Sequence, residues 1–312
     1  MVSTRRTPKK GRSPSPAATR RRSARKQQPA ATDDGTPPMT PSDYSACLVL
    51  LLLYTLQGVP MGLSMTVPFL LQEMGPDVVS YKEQAVFALC SWPFSLKLLW
   101  APIVDSVYSK KWGRRKTWFV PIQLLAGLLF IWAGRPSSVD EMMGGDGKPP
   151  NVPKLTAVFF SMYFLMATQD IAVDGWALTM LSPPHVEKGS TMNVIGQNLG
   201  SFLGFVFFLA LNDADTCNTY LRSVPSDEPL VTLGSFLSFF GWALVLTTIS
   251  VAAFRAEADD GHGEGETGLA ETYATVWRVT QLPAVRRLFV VLITCRAAFV
   301  RHPTRHLRFA GS

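Results

Sequence analysis

The feature that most restricts what this chain can become is a series of long windows without a charged residue. They run from Tyr44 to Gln72, Thr117 to Gly134, Gly189 to Asn212 and Pro229 to Phe254. A helix that crosses the hydrocarbon core of a bilayer needs roughly 20 mostly apolar residues, whereas a surface helix of a soluble domain keeps a polar face. Four windows of this length therefore predict four membrane helices. Two further stretches are equally long and apolar but carry charge. Gln84 to Val104 contains Lys97, and Leu155 to Leu181 contains Asp170 and Asp174. The chain is expected to be all-α, a polytopic membrane protein with six helices near 46–71, 84–107, 117–134, 155–181, 190–212 and 231–254.

Charge is distributed very unevenly outside those windows. Residues 1–43 hold ten of the chain's 30 Lys and Arg among Ser, Pro and Thr, a composition that cannot bury a core and predicts a disordered basic tail. The cluster Arg20–Lys26 would suit nucleic acid in a soluble protein. In a chain anchored by six spans, the simpler role is to hold that terminus in the cytosol, so the expected partner is the lipid bilayer and not a nucleic acid. The loop between the second and third spans carries Lys110, Lys111, Arg114, Arg115 and Lys116. The loops between spans 1 and 2 and between spans 5 and 6 carry one basic residue each against several acids. This bias places the N terminus and the segment 255–287 on the cytosolic side, with 44–254 as the bundle. A seventh apolar run begins at Leu288 but meets Arg296, and 301–312 is basic, so 288–312 reads as an incomplete seventh helix. The four cysteines show no paired or metal-type spacing, and no metal or cofactor is expected.

Ionisable side chains at membrane depth mark functional sites, because burying them in lipid costs several kcal/mol unless a cavity or partner receives them. Asp170 and Asp174 are one helical turn apart. At about 1.5 Å per residue, Lys97 lies roughly 20 Å from the lumenal start of span 2 and Asp170 roughly 22 Å from that of span 4, so the two share a depth. Asp174 sits a turn nearer the basic loop, within reach of Arg114 or Arg115. Two roles are open for each: Lys97 as a site cation or a side chain reaching for the interface, and Asp174 as a site group or part of the basic loop's pairing. Gln57, Gln169, Asn193, Gln197 and Trp176 complete the candidate set. Span 1 is interrupted in Gln57-Gly-Val-Pro-Met-Gly62 and at Pro68, and span 2 in Ser91-Trp-Pro-Phe94, breaks of the kind from which transporters build sites. Gly196, Gly200 and Gly204 recur every fourth residue, a pattern that permits close helix contact. Asn193 and Gln197 can line a cavity or bond between helices.

Asp105 followed by Gly113-Arg114-Arg115-Lys116 resembles the signature loop of the major facilitator superfamily, where the acid caps the next helix and latches the cytosolic side. Ala101 stands where that loop begins with Gly, and Ser106–Trp112 are additional. With Leu50–Gly62, Trp92–Asp105 and Ala167–Leu181, the chain from about 45 to 299 closely resembles the acetyl-coenzyme A transporters of the endoplasmic reticulum membrane in eukaryotes, and more distantly the bacterial muropeptide permeases. The resemblance implies a six-helix half of a major facilitator-type bundle that carries acetyl-CoA from cytosol to the endoplasmic reticulum or Golgi lumen for acetylation there. For such a cargo, the matching depth of the two charges makes Lys97 an attractor for the nucleotide phosphates and Asp170 its counter-ion or a proton acceptor. Trp92, Trp100 and Trp176 are candidates for adenine stacking or for interface anchoring. Rival readings are a proton-coupled permease for another anion, an acetyltransferase, or a non-transporting scaffold. An enzyme would need an activated nucleophile or base, yet His185, His262, His302 and His306 lie outside the spans. Such transporters have two six-helix halves, so this chain reads as one half from a shortened or frame-shifted gene. It is expected to need a second subunit or the missing half before it can transport.

Overall fold

The computed structural model describes residues 37–75, 78–109, 111–144, 148–255 and 269–300. All regular structure among them is helical. The elements are α1 (Pro41–Glu73), α2 (Tyr81–Phe87), α3 (Trp92–Leu96), α4 (Ala101–Ser106), α5 (Lys116–Ala133), α6 (Pro136–Met143), α7 (Val152–Met180), α8 (Glu187–Phe202), α9 (Phe208–Asn212), α10 (Ala214–Tyr220), α11 (Leu233–Phe254), α12 (Leu269–Thr280) and α13 (Pro283–Val300). Five are long and apolar enough to cross a membrane: α1, α5, α7, α11, and α8 continued into α9. The protein is an all-α polytopic membrane protein.

The second span is where expectation and structure differ. In place of one helix over 84–107, the chain forms α2, α3 and α4 joined by 3₁₀ turns at Ala88–Ser91 and Lys97–Leu99. Proline explains the segmentation. Pro93 and Pro102 each occupy the first turn of a new short helix, where the missing N–H is not needed and the fixed φ suits helix initiation. The 3₁₀ turn that opens at Lys97 tightens the chain at the one basic residue of the span. The fifth span also departs from a uniform helix, with a π-turn at Leu203–Phe207 between α8 and α9. By contrast α1 runs through Pro60 and Pro68 without ending.

Capping sets several boundaries. Thr40 and Asp43 form a reciprocal capping box that starts α1 at Pro41, so the last residues of the segment read as tail are already helical. Residues 1–36 lie outside the described residues. Thr232 and Ser235 start α11 the same way. Within 255–287, read as a loop, α12 lies against the end of the second span. Its Tyr273 hydroxyl donates to the Leu99 carbonyl at 2.7 Å. The apolar run from Leu288 continues helically to Val300 as α13, with Leu288 through Ile293 exposed. The basic stretch 301–312 lies outside the described residues.

α7 is the hub of the bundle, packing against α1, the segments of the second span, α5 and α8. Two apolar cores fill the bundle. One gathers Leu56–Leu71, Phe130, Leu155–Met166, Phe208 and Leu237. The other gathers Ala46–Tyr54, Phe119, Ala172–Leu181 and Val251. Between them each long central helix carries buried polar groups: Gln57 on α1, Gln123 on α5, Thr168, Gln169 and Asp170 on α7, and Thr248 on α11. A polar layer thus divides the bundle at mid-depth. Helices meet tightly on either side of it. A Cβ added to Gly200 would sit 2.0 Å from the Thr55 carbonyl oxygen, and one on Gly62 would sit 2.1 Å from that of Ser201. The glycine row of α8 therefore lets its backbone touch that of α1.

Candidate functional site

The polar layer opens into a charged cluster where α1, the second span, α7 and α8 meet. Lys97 forms an ion pair with Asp170 through Oδ2. The other oxygen of Asp170 accepts from Gln57 Nε2 at 2.6 Å and Gln197 Nε2 at 3.2 Å. One ammonium and two amides thus surround a carboxylate whose side chain is only 2% exposed. Local structure explains the convergence. Gln57 precedes the Gly58–Gly62 face of α1, Gln197 follows Gly196 on α8, and the close backbone approach of the two helices brings both amides to α7.

One turn along α7, Asp174 makes a looser set of contacts. Its Oδ1 accepts from the Tyr54 hydroxyl at 2.7 Å and Asn193 Nδ2 at 3.1 Å. Its Oδ2 stands 3.9 Å from the Lys97 ammonium, and its side chain is 46% exposed. Lys97, itself 36% exposed, therefore lies between the two aspartates and belongs more closely to Asp170. Tyr54 is a participant that the sequence reading did not single out. A hydroxyl-bearing aromatic three residues before Gln57, in a window without charge, was the available signal.

The basic loop lies beside this cluster. Arg115 is ion-paired with Asp105 at 2.6 Å, and Arg114 Nε donates to the Asp105 backbone carbonyl at 2.8 Å. Gly113 has φ of +90°, a conformation in which a side chain would be strained, and it turns the chain so that both arginines face back toward Asp105. The Arg115 guanidinium packs on Gly175, where an added Cβ would stand 2.2 Å from Cζ. The loop is thereby seated on α7 one residue past Asp174. Lys116 reaches the Ala252 carbonyl at the end of α11 at 3.1 Å.

A cavity of about 610 Å³ joins the two groups, with Tyr54, Lys97, Asp105, Arg115, Asp174 and Asn193 in its lining. The remaining candidates lie elsewhere. Trp176 is buried against Phe119, ring centroids 5.6 Å apart. Trp100 donates to Thr168 Oγ1 at 3.1 Å and packs against Phe164, while Trp92 is exposed. Gln169 is completely buried next to Asp170, with neither side-chain polar atom bonded. Among the described residues there is no cluster able to hold a metal ion. What the arrangement can do chemically is hold a cation at membrane depth between one saturated and one accessible carboxylate.

The chain is 38% identical over 222 residues to an uncharacterized membrane protein of Saccharomyces cerevisiae, covering 67% of this chain and 39% of the yeast protein. It is 35% identical over 274 residues to an uncharacterized protein of Schizosaccharomyces pombe, covering 86% of this chain and 50% of that one. It is 27% identical over 164 residues to the anhydromuropeptide permease of Escherichia coli, covering 52% and 31% respectively. The chain spans half or less of the length of these relatives. The family model described as acetyl-coenzyme A transporter 1 matches residues 46–262, which include every residue of the charged cluster and the basic loop. Because that match extends over more than half of the sequence, the chain belongs to the acetyl-coenzyme A transporter 1 family.

Proposed function

We propose that this chain supplies one side of a membrane carrier for acetyl-CoA, moving it from the cytosol into the lumen of the endoplasmic reticulum for acetylation reactions there. The observation that carries this reading is the Lys97–Asp170–Asp174 cluster at the cavity. A cation within a membrane span is retained against a cost of several kcal/mol unless a cavity or partner receives it, and phosphate-rich cargo needs such a cation. Lys97 attracts the phosphates, and Asp170 holds it in place between visits. The Asp105–Arg115 pair seated on Gly175 acts as a latch that fixes α4, the loop and α7 in one arrangement. The basic tail and loop face the cytosol, by the charge bias of the connections. Carriers of this architecture rock two bundles about a shared site, so the opposite side comes from a second bundle, covalent or not.

Uptake of labelled acetyl-CoA into proteoliposomes, with this chain in a full-length transporter, tests the reading. The wild type accumulates intact label, and Asp170→Asn inserts normally but loses uptake. Intact uptake by that variant, or label accumulation as free acetate, overturns it. Uptake of a different anion in place of acetyl-CoA moves the assignment to a permease with other cargo.

A further inference from the structure

The charges around the cavity do not balance for an anion. Its lining has two cations, Lys97 and Arg115, and two carboxylates, Asp105 and Asp174. Asp170, directly behind Lys97, brings this group of five to one net negative charge. An anionic cargo approaching Lys97 meets that excess, and the low local dielectric magnifies the repulsion. One carboxylate has to be neutralised before a phosphate can share the ammonium, and the three candidates are not equivalent. Asp105 is committed to Arg115 at 2.6 Å and to the turn through its backbone. Asp170 has both oxygens occupied, by Lys97 on one side and by Gln57 and Gln197 on the other, and is closed off from the cavity. Asp174 lines the cavity with a side chain 46% exposed, and its Oδ2 stands 3.9 Å from the Lys97 ammonium, short of a direct hydrogen bond.

We infer that Asp174 takes up the proton that accompanies binding of the anion, while Asp170 remains the ionised partner of Lys97. The inference rests on the carrier reading above and deepens it. A proton from the aqueous phase adds to Asp174 Oδ2, leaving Oδ1 to keep its bonds from Tyr54 and Asn193. No other bond forms or breaks. The group then carries no net charge, and Lys97 is free to turn its exposed side to the cargo. The ionisable groups that face Asp174 are Tyr54 from α1, Lys97 from the second span and Asp170 from its own helix. Asp105 and Arg115 line the same cavity, and α8 contributes the uncharged Asn193. Tyr54 and Asn193 are positioning groups that orient the carboxyl so that Oδ2 points at the lysine.

Two measurements test the assignment, one of them independent of cargo. In membranes containing the chain, a carbodiimide activates protonated carboxyl groups, an added amine traps them, and peptide mapping locates the adducts. Labelling at Asp174 with Asp170 spared is the expected result, and labelling of Asp170 in preference to Asp174 overturns the assignment. In the full-length context, acetyl-CoA affinity in the wild type falls as pH rises, by up to about tenfold per pH unit for one linked proton. Asp174→Asn, neutral at every pH, binds with a flat profile and more tightly than wild type above neutrality. Asp174→Glu restores the slope and serves as the control for folding. A wild-type slope retained by Asp174→Asn overturns the inference. Adducts at Asp174 in a protein that takes up no acetyl-CoA leave the proton site standing and remove only the cargo.

Discussion

Two glycine-lined seams hold this bundle together, and they are used differently. Gly58 and Gly62 of α1 face Gly196, Gly200 and Gly204 of the fifth span, while Gly127 and Gly134 at α5 face Gly234 and Gly241 of α11. Backbones approach closely in both, but less so in the second: an added Cβ on Gly241 would stand 2.9 Å from the Gly127 carbonyl oxygen and one on Gly134 2.6 Å from that of Gly234, against 2.0 Å from Gly200 to the Thr55 carbonyl oxygen in the first. The first seam is bordered by Tyr54, Gln57, Asn193 and Gln197, all bonded to the α7 aspartates. The second has Gln123, whose amide makes one long bond of 3.4 Å to the Leu244 carbonyl and whose oxygen is unpaired. Close packing without side chains is therefore a general means of association in this bundle. In the first seam it also fixes the distance between amides on two helices and a carboxylate on a third.

The largest effect should come from removing the charge that the first seam surrounds. Lys97→Met leaves Asp170 buried without its cation and should cost about 3–5 kcal/mol, read as a lowered Tm in detergent together with loss of uptake. Adding Asp170→Asn should recover most of the stability and none of the uptake. Equal instability in the double variant would show that the ion pair is not the source of the cost. Gly200→Leu should follow, at about 3 kcal/mol, because overpacking here must push α1 and α8 apart. Its signature is that cross-linking of Gln57 to Gln197 through introduced cysteines weakens along with uptake. Gly241→Ala in the second seam should cost roughly 1–2 kcal/mol and leave the affinity for acetyl-CoA unchanged; a changed affinity would mean that the second seam also positions the site. The smallest effect belongs to Gln123→Leu. Removing a poorly paired buried amide should alter stability by less than about 1 kcal/mol in either direction. Gln57→Leu, its counterpart in the first seam, should impair uptake clearly, and equal behaviour of the two would erase the distinction.

Much of this was legible in the sequence because a bilayer imposes rules that need no tertiary knowledge. Charge-free windows located four spans, and the depth of Lys97 and Asp170 placed them level before any contact was known. The Gly196–Gly200–Gly204 row signalled a close helix contact. The second seam was equally visible in form, with Gly127 and Gly134 seven residues apart and Gly234 and Gly241 likewise, but seven-residue spacing in apolar helices carries no direction to a partner. Pro93 and Pro102 gave notice of interruption, yet the 3₁₀ turn that swings Lys97 toward α7 follows from packing against that helix. Amphipathic α12, with Tyr273 and Thr272 against the second span, passed as loop because twelve residues that include Glu271 and Arg278 cannot cross a bilayer.

The sequence by itself determined that this chain is an all-α membrane protein and which charge-free windows become long apolar helices. Those properties follow from hydration energies that act residue by residue. Only the tertiary structure decided that Lys97 belongs to Asp170 more than to Asp174, that Tyr54 joins the cluster, and that Trp176 and Gln169 face the core. These are matters of which helix lies next to which, and in lipid that choice rests on close steric fit between backbones rather than on any property of a single residue.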